Sequence, residues 1–475
     1  MRPGLVRLLM VSGTIMLLAG CGSTPPAESP GQPGAAAPSA AAAPAGRRVL
    51  HILGAALTYP GEEAAMAETI AAFERSCSCT VDARFEGQWT DVPQRLQAAR
   101  IAHEPVDIVT TGANLVNSTL ARGAALMDLT DLVKPFQQRF QPGMLEPYTI
   151  GGRLWAIPFS QVSTSAIFYN ADIFKKLGLE QPRTYQDLVR VAAAIRSQRQ
   201  IMPMIHQGQA SWMWPMWFFE TYAQTSGNHS VALVGAFLRG ERRFTNSEEI
   251  AAFDAIGRFA KDGILSPTSL DTDHAGMIAA FAQQKAAMFY GGTWEIANLR
   301  AAVKDFEIGV FEFPRLTDDP QIVPQHGGGP DSALAIASFA PREDLDLAVQ
   351  FLEFVTRRQW ANKLLSVQSP FFASLRDVQP VSDPLTADLV AHFYPHTIRF
   401  LDWIWPVEVN DAVRDGIAAV VAGTMSPEQA AQGVQDAYDA LVREKSYHFD
   451  WPSAWTEAEW ARVRPPYIPS ISVGE

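Results

Sequence analysis

Trp294 stands in the stretch Tyr290-Gly291-Gly292-Thr293-Trp294-Glu295-Ile296, directly after two glycines. The pattern reads as a strand end turning into the start of a helix. Gly291 and Gly292 let the backbone approach a bound molecule, and unpaired N–H groups at a helix start can donate to it. A second aromatic group fills 211–220, SWMWPMWFFE. Trp214, Trp217 and Phe218 follow helical spacing there, and each reads as core before it reads as site, whereas Trp212 precedes Pro215 and belongs to the loop before the helix. An indole offers an apolar face and one N–H donor, which suits a sugar, whose C–H faces stack and whose hydroxyls need polar partners. Trp212, Trp294 and the adjoining Gly292 are therefore ligand-binding candidates.

Other chemistries find less in the chain. Asp271, Asp273 and Glu295 supply carboxylates of the kind glycoside hydrolysis needs in pairs, but no G-x-S-x-G, H-E-x-x-H, phosphate-loop or dinucleotide fingerprint accompanies them. His392 and His396 have the four-residue spacing of two ligands on one helix face, yet Pro395 breaks the helix that spacing requires. No catalytic residue, cofactor or metal site is expected, and an enzyme is the minor reading. Of three cysteines, Cys77 and Cys79 in RSCSCTV cannot complete a tetrahedral metal site alone. They are either a local disulfide, which demands a tight turn, or two thiols. A net charge of −12 argues against nucleic acid and against direct binding to anionic lipid heads.

These residues need elements to place them. Arg2 and Arg7 precede an apolar run, Leu8 to Leu18, of secretory-signal length, and 23–46 is too rich in Ala, Pro, Ser and Gly to fold. From residue 48 strands and helices alternate: a strand to Thr58, a helix from Pro60 to Ser76, a strand over TVDARFEG, a helix after Thr90 or Asp91, and a strand over VDIVTTG. That grammar predicts a parallel sheet, whose ligands sit beyond the carboxyl ends of the strands. The loops carrying Thr58-Tyr59, Gly87-Gln88-Trp89 and Thr111 to Asn114 are so nominated. Further on, SAIFYN, MPMIHQ, AAMFYG and FEIGVFEFP read as strands. Thr184 with Asp187, Asn246 with Glu249, and Ser426 with Gln429 read as helix starts. About 430 residues after the leader suit two lobes.

Leu18-Ala19-Gly20-Cys21 resembles a bacterial lipobox, which implies cleavage before Cys21 and lipidation of its sulfur. Four longer stretches, GGRLWAIPFSQVSTSAIFYNADIFKKLGLEQPRTYQDL, FAQQKAAMFYGGTWEIANLR, GGGPDSALAIASFAPREDLDLAVQFLEFVT and VVAGTMSPEQAAQGVQDAYD, resemble segments of the extracellular solute-binding proteins of ABC importers, family 1. That family includes maltodextrin-, oligosaccharide- and glycerol-3-phosphate-binding members. The stretches occur in the family's order over nearly all of 50–445. The resemblance implies an α/β fold of the periplasmic-binding-protein type II, with two discontinuous lobes joined by hinge strands around a ligand cleft. The expected organisation is a signal peptide at 1–20, a lipid-anchored linker at 21–47, one lobe from 48–163 and 332–380, and the other from 164–331 and 381–475.

The function so implied is capture of a mono- or oligosaccharide outside the cytoplasm, by closure of the lobes, and delivery to the permease subunits. The chain would be a monomer, held to the outer face of the membrane or in the periplasm by Cys21. A receptor reporting to a membrane sensor shares the fold. The resemblance to the family's loop after a second-lobe strand favours Trp212 as a ligand contact, with Trp214 second, and Trp89 aligns with an aromatic ligand contact of glycerol-3-phosphate-type members. Ser160, Ser163 and Thr164 occupy the hinge where such members place a hydroxyl, and Gly328 and Gly329 match backbone-donor glycines. Arg399 matches a phosphate-gripping arginine and equally reads as a surface charge; Arg376 reads more as a surface or interlobe charge. One departure is Gly112, where the phosphate-glycerol members carry a glutamate; Asn114 offers an amide suited to a sugar hydroxyl. A phosphorylated or anionic polyol is the alternative ligand.

Overall fold

The computed structural model describes residues 47–445 apart from Asp331 and Phe371, together with Tyr447 and 454–466. The expected signal, lipobox and Cys21 lie outside the described residues. Among those described no helix is long and apolar enough to cross a membrane. The strands run β1 (Val49–Gly54), β2 (Thr80–Phe85), β3 (Ile108–Gly112), β4 (Thr149–Ile150), β5 (Arg153–Leu154), β6 (Ile157–Pro158), β7 (Val162–Asn170), β8 (Met202–Ile205), β9 (Ala286–Gly292), β10 (Ile308–Phe311), β11 (His326–Pro330), β12 (Ser332–Ile336) and β13 (Thr397–Arg399).

Two larger sheets result. The first has the order β2-β1-β3-β12-β6, parallel through β1, β2 and β3, with β12 antiparallel on β3. The second has the order β13-β11-β7-β9-β8, with β10 also antiparallel on β7. Each is a buried apolar layer. Leu50, Ile52, Ile108 and Val109 lie inside the first lobe; Ile167, Phe168, Met288 and Phe289 lie inside the second. Helices cover them because strand–helix–strand crossovers return parallel strands to one sheet. The chain leaves the first sheet between β6 and β7 and returns between β11 and β12.

Local signals act as the residue types predict. Thr184 caps the helix Tyr185–Arg196 in a reciprocal capping box with Asp187, and Ser426 does the same with Gln429 for Pro427–Glu444. Gly178 ends Ala171–Leu177 at φ 63°, a left-handed conformation glycine adopts without penalty. Asn246 precedes the helix Ser247–Lys261 without a side-chain cap, because the Glu249 carboxylate turns to the Arg242 guanidinium instead.

One expected boundary is corrected. Residues 381–475 were assigned whole to the second lobe, but the end of the chain lies on the first. The Asp128 N–H donates to the Val463 carbonyl, and Trp455 and Trp460 pack on the buried Trp155. The apolar Trp455, Trp460 and Val463 drive this return by covering that indole. Cys77 and Cys79 form a disulfide with Cα atoms 5.2 Å apart. The tight turn it demands is supplied by Ser78, at φ 53°.

Candidate functional site

On the first-lobe side the carboxyl end of β3 brings Trp89 and Asn114 together over Gly112. A Cβ on Gly112 would lie 2.6 Å from the Trp89 ring and 3.1 Å from Asn114 Oδ1. The backbone there is ordinary extended chain, so glycine is required for space. Gly112 leaves room for an indole beside an amide, a stacking face next to a polar partner. The segments after β2 and β3 thus meet at Gly112 and form a candidate wall.

The other wall is aromatic. Trp212 lies in the loop before the helix Trp214–Thr225 and keeps 40% exposure. Its ring meets Trp294 edge to face at 5.9 Å; Trp294 is followed by Phe400 at 6.3 Å and Phe400 by Trp403 at 5.4 Å. Trp294 folds back on β9, its ring carbons 2.2–2.6 Å from where a Cβ on Gly292 would sit. Its indole N–H is buried without a protein partner, a cost unless a polar atom reaches it. At the far end Trp403 lies against Gly329, which has φ 126°. The turn Leu401–Trp403 sits beside Ala113–Leu115 of the first lobe, so the aromatic run ends next to the Asn114 segment.

The hinge segment fills the floor. Ser163 Oγ donates to the Gly329 carbonyl, Ser165 Oγ to the Gly327 carbonyl, and Thr397 Oγ1 lies 2.8 Å from Thr164 Oγ1. Gly328 pairs with Thr164 across β11 and β7, and a Cβ there would lie 2.1 Å from the Ser163 carbonyl oxygen. Ser163, Thr164 and Gly328 therefore hold the crossover strands together, and their hydroxyls and backbone face each other. Ser160 is buried with its Oγ unpaired.

Besides Ser163 and Thr164, whose hydroxyls are spent within the hinge, two further candidates stand apart from the predicted role. Trp214 is buried and spends its N–H on the Gly208 carbonyl, because helical spacing turns it, with Trp217, into the core. Arg399 is half-buried and paired with Glu146 of the first lobe at 3.3 Å, so it bridges the lobes in this structure. Of the carboxylates, Asp273 accepts from the Gly276 N–H as a helix cap, and Glu295 accepts from Gln207 and faces His274 Nε2 at 2.8 Å. That contact raises the His274 pKa, since Glu295 holds the imidazolium against the opposing effect of burial. Phe400 and Trp403 are buried and back the Trp294 ring rather than offer a free face; sequence reasoning missed them as its supports. The aromatic density of FLDWIW after a short strand was the available signal.

With this geometry in place, the comparisons are informative. The chain matches the model of the bacterial extracellular solute-binding protein family over residues 57–362, and it belongs to that family. It is 24% identical over 222 residues to the multiple sugar-binding protein of Streptococcus mutans, covering 46% of this chain and 51% of that one. It is 24% identical over 253 residues to the sn-glycerol-3-phosphate-binding periplasmic protein of Shigella flexneri, covering 50% and 55%. The chain thus spans about half the length of the curated relatives it matches. A chitin oligosaccharide binding protein superposes with a TM-score of 0.70 at 20% identity, covering 82% of this chain and 99% of that one. The fold is the two-lobed periplasmic-binding-protein type II.

Proposed function

We propose that this chain is the solute-binding component of an ABC importer, capturing a mono- or oligosaccharide between its lobes and delivering it to the permease. The observation that carries the reading is the exposed Trp212 ring set against Trp294, whose backing through Phe400 and Trp403 ends beside the Asn114 segment. Indole faces stack on sugar C–H surfaces, and the unpaired Trp294 N–H and the Asn114 amide are suited to hydroxyls. The names of the Streptococcus mutans relative and of the chitin oligosaccharide binding protein agree with a sugar. Residues 48–163 and 332–380, with the tail at 454–466, form the first lobe; 164–331 and 381–445 form the second. Cys21 anchors a monomer outside the cytoplasm, and 23–46 is its tether.

The test is titration of the purified chain with a panel of mono- and oligosaccharides, read by tryptophan fluorescence and calorimetry. Saturable binding of one sugar class, with the sugar recovered unchanged, is expected; a cleaved or transferred product overturns it. A phosphorylated polyol is the second reading, favoured by Arg399 at the lobe boundary and by the Shigella flexneri relative. Under it glycerol-3-phosphate binds, its affinity falls steeply with salt, and Arg399→Ala abolishes it.

A further inference from the structure

A cluster away from the aromatic walls carries chemistry that the sugar reading does not use. Glu312 follows β10, His326 opens β11 and His396 immediately precedes β13, so three separate segments meet at one edge of the second sheet. Glu312 Oε1 lies 3.1 Å from His326 Nε2 and 3.2 Å from His396 Nδ1, and all three ligand atoms fall within 4.8 Å of one another. A tetrahedral ion with bonds of about 2.0–2.1 Å has ligand-to-ligand edges of roughly 3.3 Å. Two of the three edges already have nearly that length.

We propose that Glu312, His326 and His396 form a site for a divalent transition ion of the zinc type, with Glu220 as the carboxylate behind His326. Two imidazoles and one carboxylate are a borderline donor set, which favours zinc over calcium or magnesium. A metal-bound imidazole usually turns its other nitrogen to a carboxylate, which fixes the ring and its tautomer. His326 does this: Nδ1 faces Glu220 Oε2 at 3.5 Å, both groups fully buried. Glu220 is itself held by the Tyr290 hydroxyl and the Gly327 N–H, each 3.2 Å from Oε1. Among the described residues no lysine or arginine pairs with Glu220 or Glu312, so two carboxylates share positive charge with histidines alone. A divalent ion would supply two positive charges to that pair of carboxylates.

The site has an entrance and a consequence. The His396 and Glu312 side chains are 41% and 35% exposed, so an ion enters from their side and meets the buried His326. Because β11 and β13 pair from His326 and Thr397 onward, an ion there ties β13 to the strand that crosses between the lobes. This departs from the expectation of no metal, which weighed His396 only against His392. The proposal does not depend on which solute the cleft takes.

The experiment is equilibrium dialysis of the full chain, purified in detergent and stripped with EDTA, against Zn2+, with bound metal measured by mass spectrometry and Tm by calorimetry. One zinc per chain is expected, with a higher Tm, and magnesium at the same concentration should not replace it. His396→Ala, at a half-exposed position, should fold with the Tm of the metal-free parent and lose affinity by tenfold or more. Glu312→Gln should do the same. Absence of bound zinc at about 100 μM, or equal affinity in the parent and both variants, would overturn the site.

Discussion

At Gly112 one methyl group separates two outcomes. Its Cβ would press on the Trp89 ring at 2.6 Å, and Trp89 is only half-buried, so the ring can swing away. Gly112→Ala should therefore weaken sugar binding by several-fold to about tenfold while Tm changes little. Trp212→Ala and Trp294→Ala should each cost ~1–3 kcal/mol of binding through lost stacking area. Trp214→Ala opens the core instead and should cost ~3–5 kcal/mol of stability; calorimetry separates the three tryptophans, and a stable Trp214→Ala with poor binding would return that residue to the site. A pH effect belongs to the same scale. His274 has its pKa raised above 6.5 by Glu295. A raised folded-state pKa gives stability that is fully present below 6.5 and lost as pH rises through the folded value. Tm should thus decline from pH 6 toward the range above that value in the parent, and His274→Gln should lack that component. Its half-exposed position keeps the effect small.

Elements whose causes are local were legible in the sequence. Thr184 with Asp187 and Ser426 with Gln429 announce helix starts within four residues, and both boxes form. Thr184→Ala should cost about 1 kcal/mol of stability, checked by denaturant unfolding. The β3 loop was nominated because parallel strands place ligands at their carboxyl ends, a rule that needs no partner residue. Contacts set by long-range pairing were not legible. Ser163 and Gly329 are 166 positions apart, so no spacing shows that the hydroxyl is spent on a hinge carbonyl. Likewise Arg399 gives no sign of Glu146, nor His396 of His326. The tail was misplaced for the same reason, since only Trp155 in the folded first lobe explains where Trp455 and Trp460 go. Gly328 shows how tight the crossover is: with the Ser163 carbonyl 2.1 Å from its would-be Cβ, Gly328→Ala must separate β7 from β11. It should lower Tm strongly, whereas an alanine at the open Gly433, with nothing within 4 Å, should not.

At the scale of the whole molecule, the proposed reading puts the two walls on different lobes, and that decides how a solute would act. A ligand touching one lobe has equal affinity for every arrangement of the pair and shifts nothing; one bridging both favours the arrangement that brings them together. Under that reading Trp89 and Asn114 on one side and Trp212 and Trp294 on the other would be bridged, with rotation absorbed where the strands cross at 158–162 and 330–332. One side-chain ion pair spans the proposed lobes. The Arg399–Glu146 pair is solvent-exposed on the glutamate side, and such pairs contribute roughly 0–1 kcal/mol. Small-angle scattering should accordingly show the chain compacting when the right sugar is added. Glu146→Gln should leave that compaction intact, with the sugar midpoint moved by less than about fivefold. Trp89→Ala and Trp212→Ala, one from each wall, should each shift the midpoint to higher sugar by more than that, and the double variant should not compact at the concentration that saturates the parent. Compaction that survives the double variant unchanged would mean that the aromatic walls are not what the solute bridges, and no compaction at saturation would exclude closure as the means of capture.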